Sequence, residues 1–174
     1  MLTDIGEYIV GAYLQLKLDC DVINYNARPP GGGLDGLEEL DVIGLNFKSR
    51  TAYLCEVTTH IRGIQYGDQR TTIDRIKKKY FRQQQYGAKY LSDFSCQHML
   101  WSPVVPKGFL TNALSEIDGL QCVINGEYKR RIGDASSPGS QYNARRTQSG
   151  ISSAANPGTH ARLGGFSGPL HVCK

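Results

Sequence analysis

Two carboxylates stand where an apolar side chain would be easier to bury. Asp41 lies in "ELDVIGLNF" and Glu56 in "AYLCEVTTH", apolar and β-branched runs that turn on Lys48, Ser49 and Arg50. Each run reads as a strand, near 39–47 and 51–59. Carboxylates at matched depth on neighbouring strands can share one hard cation. Mg²⁺ takes oxygen ligands and is ordinarily held by one or two carboxylates together with substrate phosphate. Such an ion polarises a phosphoryl oxygen and lowers the pKa of a bound water, which is the chemistry of phosphodiester hydrolysis. The backbone carbonyl of Val57, between Glu56 and Thr58, is a candidate further ligand. Taken singly, Asp41 also suits a strand-entry residue bonded to a turn, and Glu56 a solvent-facing position on an edge strand. Because both carboxylates recur in one hairpin, and Glu56 sits in an otherwise apolar run, the metal reading is favoured.

The elements that must position this pair follow from the flanking sequence. "DIGEYIVGAYLQLKL" (4–18) puts Ile5, Ile9, Ala12 and Leu16 on one helical face, and Asp4 with Glu7 has the form of a capping box. A short strand over 19–26 and an irregular loop, "ARPPGGGLDG" (27–36), precede the hairpin. A second helix is expected over 71–91, a strand over 97–105, a short helix over 109–117 and a last strand or hairpin over 120–132. The order is α-β-β-β-α-β-α-β. From Gly133 the chain turns Gly/Ser/Ala/Asn-rich with one acid and no hydrophobic period. It cannot bury enough apolar surface to offset its ordering entropy, so 133–174 is expected to be a disordered tail behind a domain of residues 1–132.

Composition narrows the class. With 174 residues the chain can build one domain with a real core. No apolar run approaches the length of a membrane span, and "MLTDIGEYIV" lacks the basic, then apolar, pattern of a secretory leader. The five cysteines, Cys20, Cys55, Cys96, Cys122 and Cys173, are dispersed without a CxxC pair. They suit reduced thiols in the cytoplasm better than a disulfide frame or a zinc site. The net charge of +4 conceals an asymmetry: residues 1–60 carry −5, residues 61–90 carry +6 and the remainder +3. A basic stripe beside a carboxylate pair suits a protein that holds a polyanion against a metal ion, although a Lys/Arg run is more commonly a solvated helix face.

Helix, strand, Gly-rich loop, "ELDVIG", hairpin, "AYLCEVTTH" and basic helix, over roughly residues 4–105, together resemble the PD-(D/E)xK nuclease superfamily, the restriction-endonuclease-like and Holliday-junction-resolvase-like fold. The resemblance implies a central mixed β-sheet flanked by helices and Mg²⁺-dependent hydrolysis of DNA phosphodiesters, with Mn²⁺ as an alternative ion. Asp41 matches the motif aspartate, Glu56 the (D/E) position, and Glu7 the acidic residue that many members carry on the first helix. Glu7 thus has two readings, metal ligand and capping-box partner. Leu40 stands in place of the motif proline. Thr58 stands in place of the motif lysine, the residue expected to orient the attacking water and stabilise transition-state charge.

A lysine from the following helix could supply that charge. At 100° per residue, Ile73, Ile76, Tyr80, Gly87, Ala88 and Leu91 share one arc of the helix over 71–91. Lys77 and Gln84 fall inside that arc, and a lysine on a packed face implies a carboxylate or phosphate within reach. Lys77 is therefore the expected catalytic lysine. Arg75, Lys78, Lys79 and Arg82 fall outside the arc and are the expected nucleic-acid contacts, with Tyr86 and Tyr90 beside them. His60 and His98 are read as structural. The expected function is a metal-dependent DNA endonuclease of the restriction or repair type. The competing expectation, favoured by the missing motif lysine, is a catalytically inactive nuclease-fold module that binds nucleic acid or a protein partner. DNA is the expected partner, a homodimer is compatible with the sequence, and no membrane contact is expected.

Overall fold

A computed structural model of the chain describes residues 3–29, 39–60, 63–64 and 66–136. The Gly-rich loop around "PPGGGLDG" and the segment from 137 onward, which held most of the expected tail, lie outside the described residues. The described chain is α/β. It runs α1 (Ile5–Lys17), β1 (Val22–Ala27), β2 (Leu40–Asn46), β3 (Thr51–Val57), α2 (Gln69–Tyr90), β4 (Ser95–Ser102), α3 (Phe109–Ser115), β5 (Leu120–Ile124) and α4 (Asn125–Ser136). One five-stranded mixed sheet has the spatial order β1-β2-β3-β4-β5. β1, β2 and β3 are antiparallel neighbours, while β4 and β5 join in parallel after helical crossovers, as parallel pairing requires.

Alternation along the strands divides the core in two. Val42, Cys55, Met99, Trp101 and Val123 meet Val10, Tyr13 and Leu14 of α1 and Tyr128 of α4 on one face. On the other, Leu100 meets Ile73 and Ile76 of α2 and Leu110 and Leu114 of α3. Ile43, Ala52 and Leu54 continue that second face against Tyr86 and Leu91. Burial pushes the Cys20 thiol up to about 11, as suits a thiol serving as a small core residue. No helix among the described residues is long and apolar enough to cross a membrane.

Three local expectations are corrected. The aliphatic stripe of α1 faces outward: Ile5 is 74% and Leu16 57% exposed, Ile9 and Ala12 are exposed too, and Gly6, Glu7, Val10, Gly11, Tyr13 and Leu14 are buried. The two glycines explain this. A Cβ at Gly11 would lie 2.1 Å from the Tyr25 hydroxyl, and one at Gly6 would lie 2.1 Å from Thr59 Cγ2. The glycine side therefore allows α1 to lie closest to the sheet.

The segment over 120–132 is a strand followed by a helix, not a strand or hairpin alone. Asn125-Gly126 suits a hairpin turn in isolation. Here Asn125 adopts a left-handed conformation (φ +54°). Its side chain accepts from the Val105 N–H at 2.8 Å and donates to the Val105 carbonyl at 3.0 Å. Pinned at that point, the chain leaves the sheet and enters α4. That helix runs to Ser136, so the first residues of the expected tail are helical.

Candidate active site

The β2–β3 ladder ends at the Val42–Cys55 pair, and Asp41 and Glu56 are the next residue on each strand. Successive side chains along a strand point to opposite faces, so each carboxylate lies on the face away from Val42 and Cys55. Both carboxylates therefore share one face, the one covered by α2. Asp41 Oδ2 accepts from the Val57 N–H at 2.7 Å, which fixes its side chain against the end of β3. Val57 thus participates through its N–H. Glu56 is buried at 5% exposure and forms an ion pair with Lys79 of α2 through its Oε1.

This pair corrects the lysine assignment. Lys77 and Lys78 are both exposed, whereas Lys79 is partly buried and reaches the carboxylates. The face of α2 that meets the sheet carries Thr72, Ile76, Lys79, Gln83 and Gly87. It is rotated roughly a fifth of a turn from the arc drawn through the apolar residues. Gln83, 1% exposed, lies on that line and donates to the Met99 carbonyl at 3.2 Å. Gln84 is exposed and bonds instead to the Tyr80 hydroxyl at 2.9 Å. Hydrophobic periodicity could not find this face, because three of the residues that define it, Thr72, Lys79 and Gln83, are polar.

Glu7 closes the capping box and also bonds to β1. Its carboxylate accepts from the Asp4 N–H, closing the capping box, and from the Asn26 side-chain amide at 3.2 Å. Asn26, between the Tyr25–Val42 and Ala27–Leu40 pairs of the β1–β2 ladder, holds a left-handed backbone (φ +51°) inside a strand, a conformation Asn tolerates better than most residues. Its amide also donates to the Thr3 hydroxyl at 3.0 Å. Burial, and then the negative charge of Asp41, raises the Glu7 carboxyl above the usual carboxylate range. Burial raises Asp41 as well, against the opposing influence of Lys79 and the Val57 N–H. Burial lowers the Lys79 ammonium, opposed mainly by Asp41, with Arg82 adding to the lowering. Asp41 is therefore coupled electrostatically both to Lys79 and to Glu7 of α1, while Glu56 is tied to Lys79 by the ion pair.

Thr58, two residues after Glu56, is buried, and its hydroxyl lies 3.5 Å from that of Tyr66. The Tyr66 ring carries the Arg75 guanidinium at 5.1 Å and the Lys79 ammonium at 6.0 Å from its centroid. A threonine thus occupies space that a longer cation would share with Lys79. Arg75 and Arg82 flank Lys79 along α2, and Lys78 projects elsewhere into solvent. His60 is exposed beyond β3, and His98 packs within β4 against Tyr80, ring centroids 5.5 Å apart.

Comparison of the chain with protein-family models, with curated proteins and with solved structures finds no match in any of the three. Functional assignment therefore falls to the chemistry of the cluster. Among the described residues no three His, Cys, Asp or Glu side chains converge as a ready metal cage. A two-carboxylate set is the usual protein contribution to a Mg²⁺ site that substrate phosphate completes. Asp41 and Glu56 provide that set: oxygen donors on one face, within a cluster whose excess negative charge a divalent cation would balance. The donor chemistry fits.

Proposed function

We propose that this chain is a metal-dependent phosphodiesterase acting on DNA, an endonuclease of the restriction or repair type on the PD-(D/E)xK plan. The observation that carries the reading is Lys79 reaching from α2 to Glu56 beside Asp41, while Thr58 stands at the motif-lysine position. In this reading Asp41 and Glu56 hold Mg²⁺ or Mn²⁺, and Glu7 sets the field around them. The bound ion supplies Lewis acidity toward a phosphoryl oxygen and a lowered water pKa. Val57 orients Asp41 through its N–H. Lys79 holds its proton at Nζ and presents positive charge where the scissile phosphate gains negative charge. Arg75 and Arg82, one turn to either side along the helix, draw the phosphate backbone toward it.

The test is incubation of the full chain with supercoiled plasmid and Mg²⁺ or Mn²⁺, with and without chelator. The parent should nick DNA only with metal. Asp41→Asn should abolish cleavage, Lys79→Ala should slow it by about 10²-fold or more, and Lys77→Ala should cut like the parent. A second reading is favoured by the Lys79–Glu56 ion pair itself, which satisfies Glu56 without a cation: an inactive nuclease-fold module that binds nucleic acid or a protein partner. Metal-independent DNA binding with no cleavage under any metal would establish that reading and overturn the first.

A further inference from the structure

The C-terminal half of α2 carries a groove of about 290 Å³ lined by Pro29, Arg82, Gln85, Tyr86, Lys89 and Tyr90. Its chemistry is specific. Two cations alternate with two aromatic rings, and no carboxylate is among the described residues that line it. The Tyr86 and Tyr90 rings lie 4.9 Å apart at 53°, and the Lys89 ammonium sits 5.1 Å from the Tyr90 centroid. Arg82, Tyr86 and Lys89 recur at helical spacing and so form one ridge. Continued one turn toward the N-terminus, that ridge reaches Lys79 and the carboxylates. From Lys79 to Tyr90 the helix rises roughly 16 Å, a length that a few nucleotides of extended strand cover.

We infer that this groove binds an unpaired nucleic-acid strand and leads it to the Asp41–Glu56 cluster. The inference rests on the proposed nuclease reading for its second clause only. The alternation of cations and rings favours a single strand over a duplex. Phosphates satisfy Arg82 and Lys89 in either case, but only unpaired bases offer faces for Tyr86 and Tyr90. A duplex keeps its bases stacked inside and leaves both rings idle. The natural substrate would then be a flap, overhang or melted junction whose unpaired arm lies along α2 and whose scissile phosphate lies at the carboxylates.

The test is fluorescence anisotropy with short labelled oligothymidylate, oligouridylate and a blunt DNA duplex, on the full chain in chelator so that no cleavage intervenes. Oligothymidylate should bind the parent, and Tyr90→Ala should weaken it at least fivefold while changing duplex affinity less than twofold. Lys89→Glu should weaken it further, and Lys78→Ala, off the groove, should spare the difference between single strand and duplex. Melting curves establish that each variant is folded. Should Tyr90→Ala fail to fold, Tyr90→Leu, which keeps apolar volume but removes the ring, takes its place. The oligouridylate arm separates an RNA strand from a DNA strand. Unchanged oligothymidylate binding in both groove variants overturns the inference. So does a loss of duplex binding in the Tyr90 variant equal to its loss of oligothymidylate, displacement by poly-glutamate as effective as by oligothymidylate (an acidic protein segment), or no binding by the parent. Because binding is read without metal, absence of plasmid cleavage would sink the nuclease reading and leave the groove standing.

Discussion

At the scale of single residues, the candidate site is a place where the fold is less stable than it could be. Burial raises the carboxyls of Glu7 and Asp41 and lowers the ammonium of Lys79, so each charged form is disfavoured in the folded state. For a carboxyl whose folded pKa is raised, the native state binds more protons than the unfolded chain just above the ordinary carboxylate range. Stability therefore falls as pH rises through that window, and the cost persists at neutral pH. Asp41→Asn keeps an oxygen that can accept from the Val57 N–H but removes the charge. It should raise the melting temperature at pH 7, and the gain should vanish as pH falls below the ordinary aspartate value. A calorimetric series from pH 3 to pH 8, on the order of one measurement per pH unit, checks the sign. Adding Mg²⁺ or Mn²⁺ should raise the parent's melting temperature, because a ligand bound only by the native state stabilises it. Asp41→Asn should erase that increment. A variant that is less stable than the parent at neutral pH, or an increment that survives in it, contradicts the site as described.

At the scale of elements, α1 and α2 share one lesson: the buried face of a helix is set by what lets it approach the sheet. On α1 that is Gly6 and Gly11, and the aliphatics Ile5 and Leu16 are left outside. On α2 it is a line through Thr72, Ile76, Lys79, Gln83 and Gly87, where a Cβ at Gly87 would already lie 2.9 Å from Cys96 Sγ. Gly11→Ala should therefore destabilise the protein although alanine is the better helix former. The propensity gain is at most about 1 kcal/mol. The added methyl would lie 2.1 Å from the Tyr25 hydroxyl and 2.7 Å from its ring, and overpacking of this kind costs about 1–3 kcal/mol. Denaturant unfolding should show a net loss, and Tyr25→Leu in the same chain should recover part of it. A Gly11→Ala variant as stable as the parent would mean that Tyr25 swings away freely.

At the scale of the whole molecule, the sheet is closed on the α1 face by a second helix. α4 places Tyr128 against Trp101, ring centroids 6.1 Å apart, and Ile132 beside the same cluster. Trp101 is fully buried, and Tyr13 meets it from the other side at 5.0 Å. A chain ended after Ile124 would expose this cluster and should lose about 3 kcal/mol or more, the scale of deleting one large buried aromatic. A chain ended after Ser136 should melt with the full-length protein, because the composition beyond it offers no apolar period to add to a core. Thermal unfolding of both truncations measures this. A large loss in the longer one would assign a structural role to residues past 136.

The sequence by itself determined the elements from α1 to β5 and singled out the two carboxylates. Strands showed as runs of apolar and β-branched residues, α2 as a long basic segment of helical period, and Asp41 and Glu56 as charges out of keeping with their runs. It also indicated that a lysine on the helix after β3 could meet the carboxylates. Only the tertiary structure decided which lysine does. Lys77, Lys78 and Lys79 are consecutive and chemically alike, and a residue's place around a helix is fixed by contacts with the sheet rather than by its own type. The pattern of apolar residues reports helix phase only where every buried position is apolar. On α2 the buried line contains Lys79 and Gln83, and on α1 it contains glycines, so periodicity pointed to Lys77 and to the wrong face of α1. The same cause hid α4, whose start depends on Asn125 bonding to Val105, 20 residues away in sequence. Local preference names the elements; which side chains meet depends on which surfaces can come close, and that is settled only when the sheet and both its covering layers are in place.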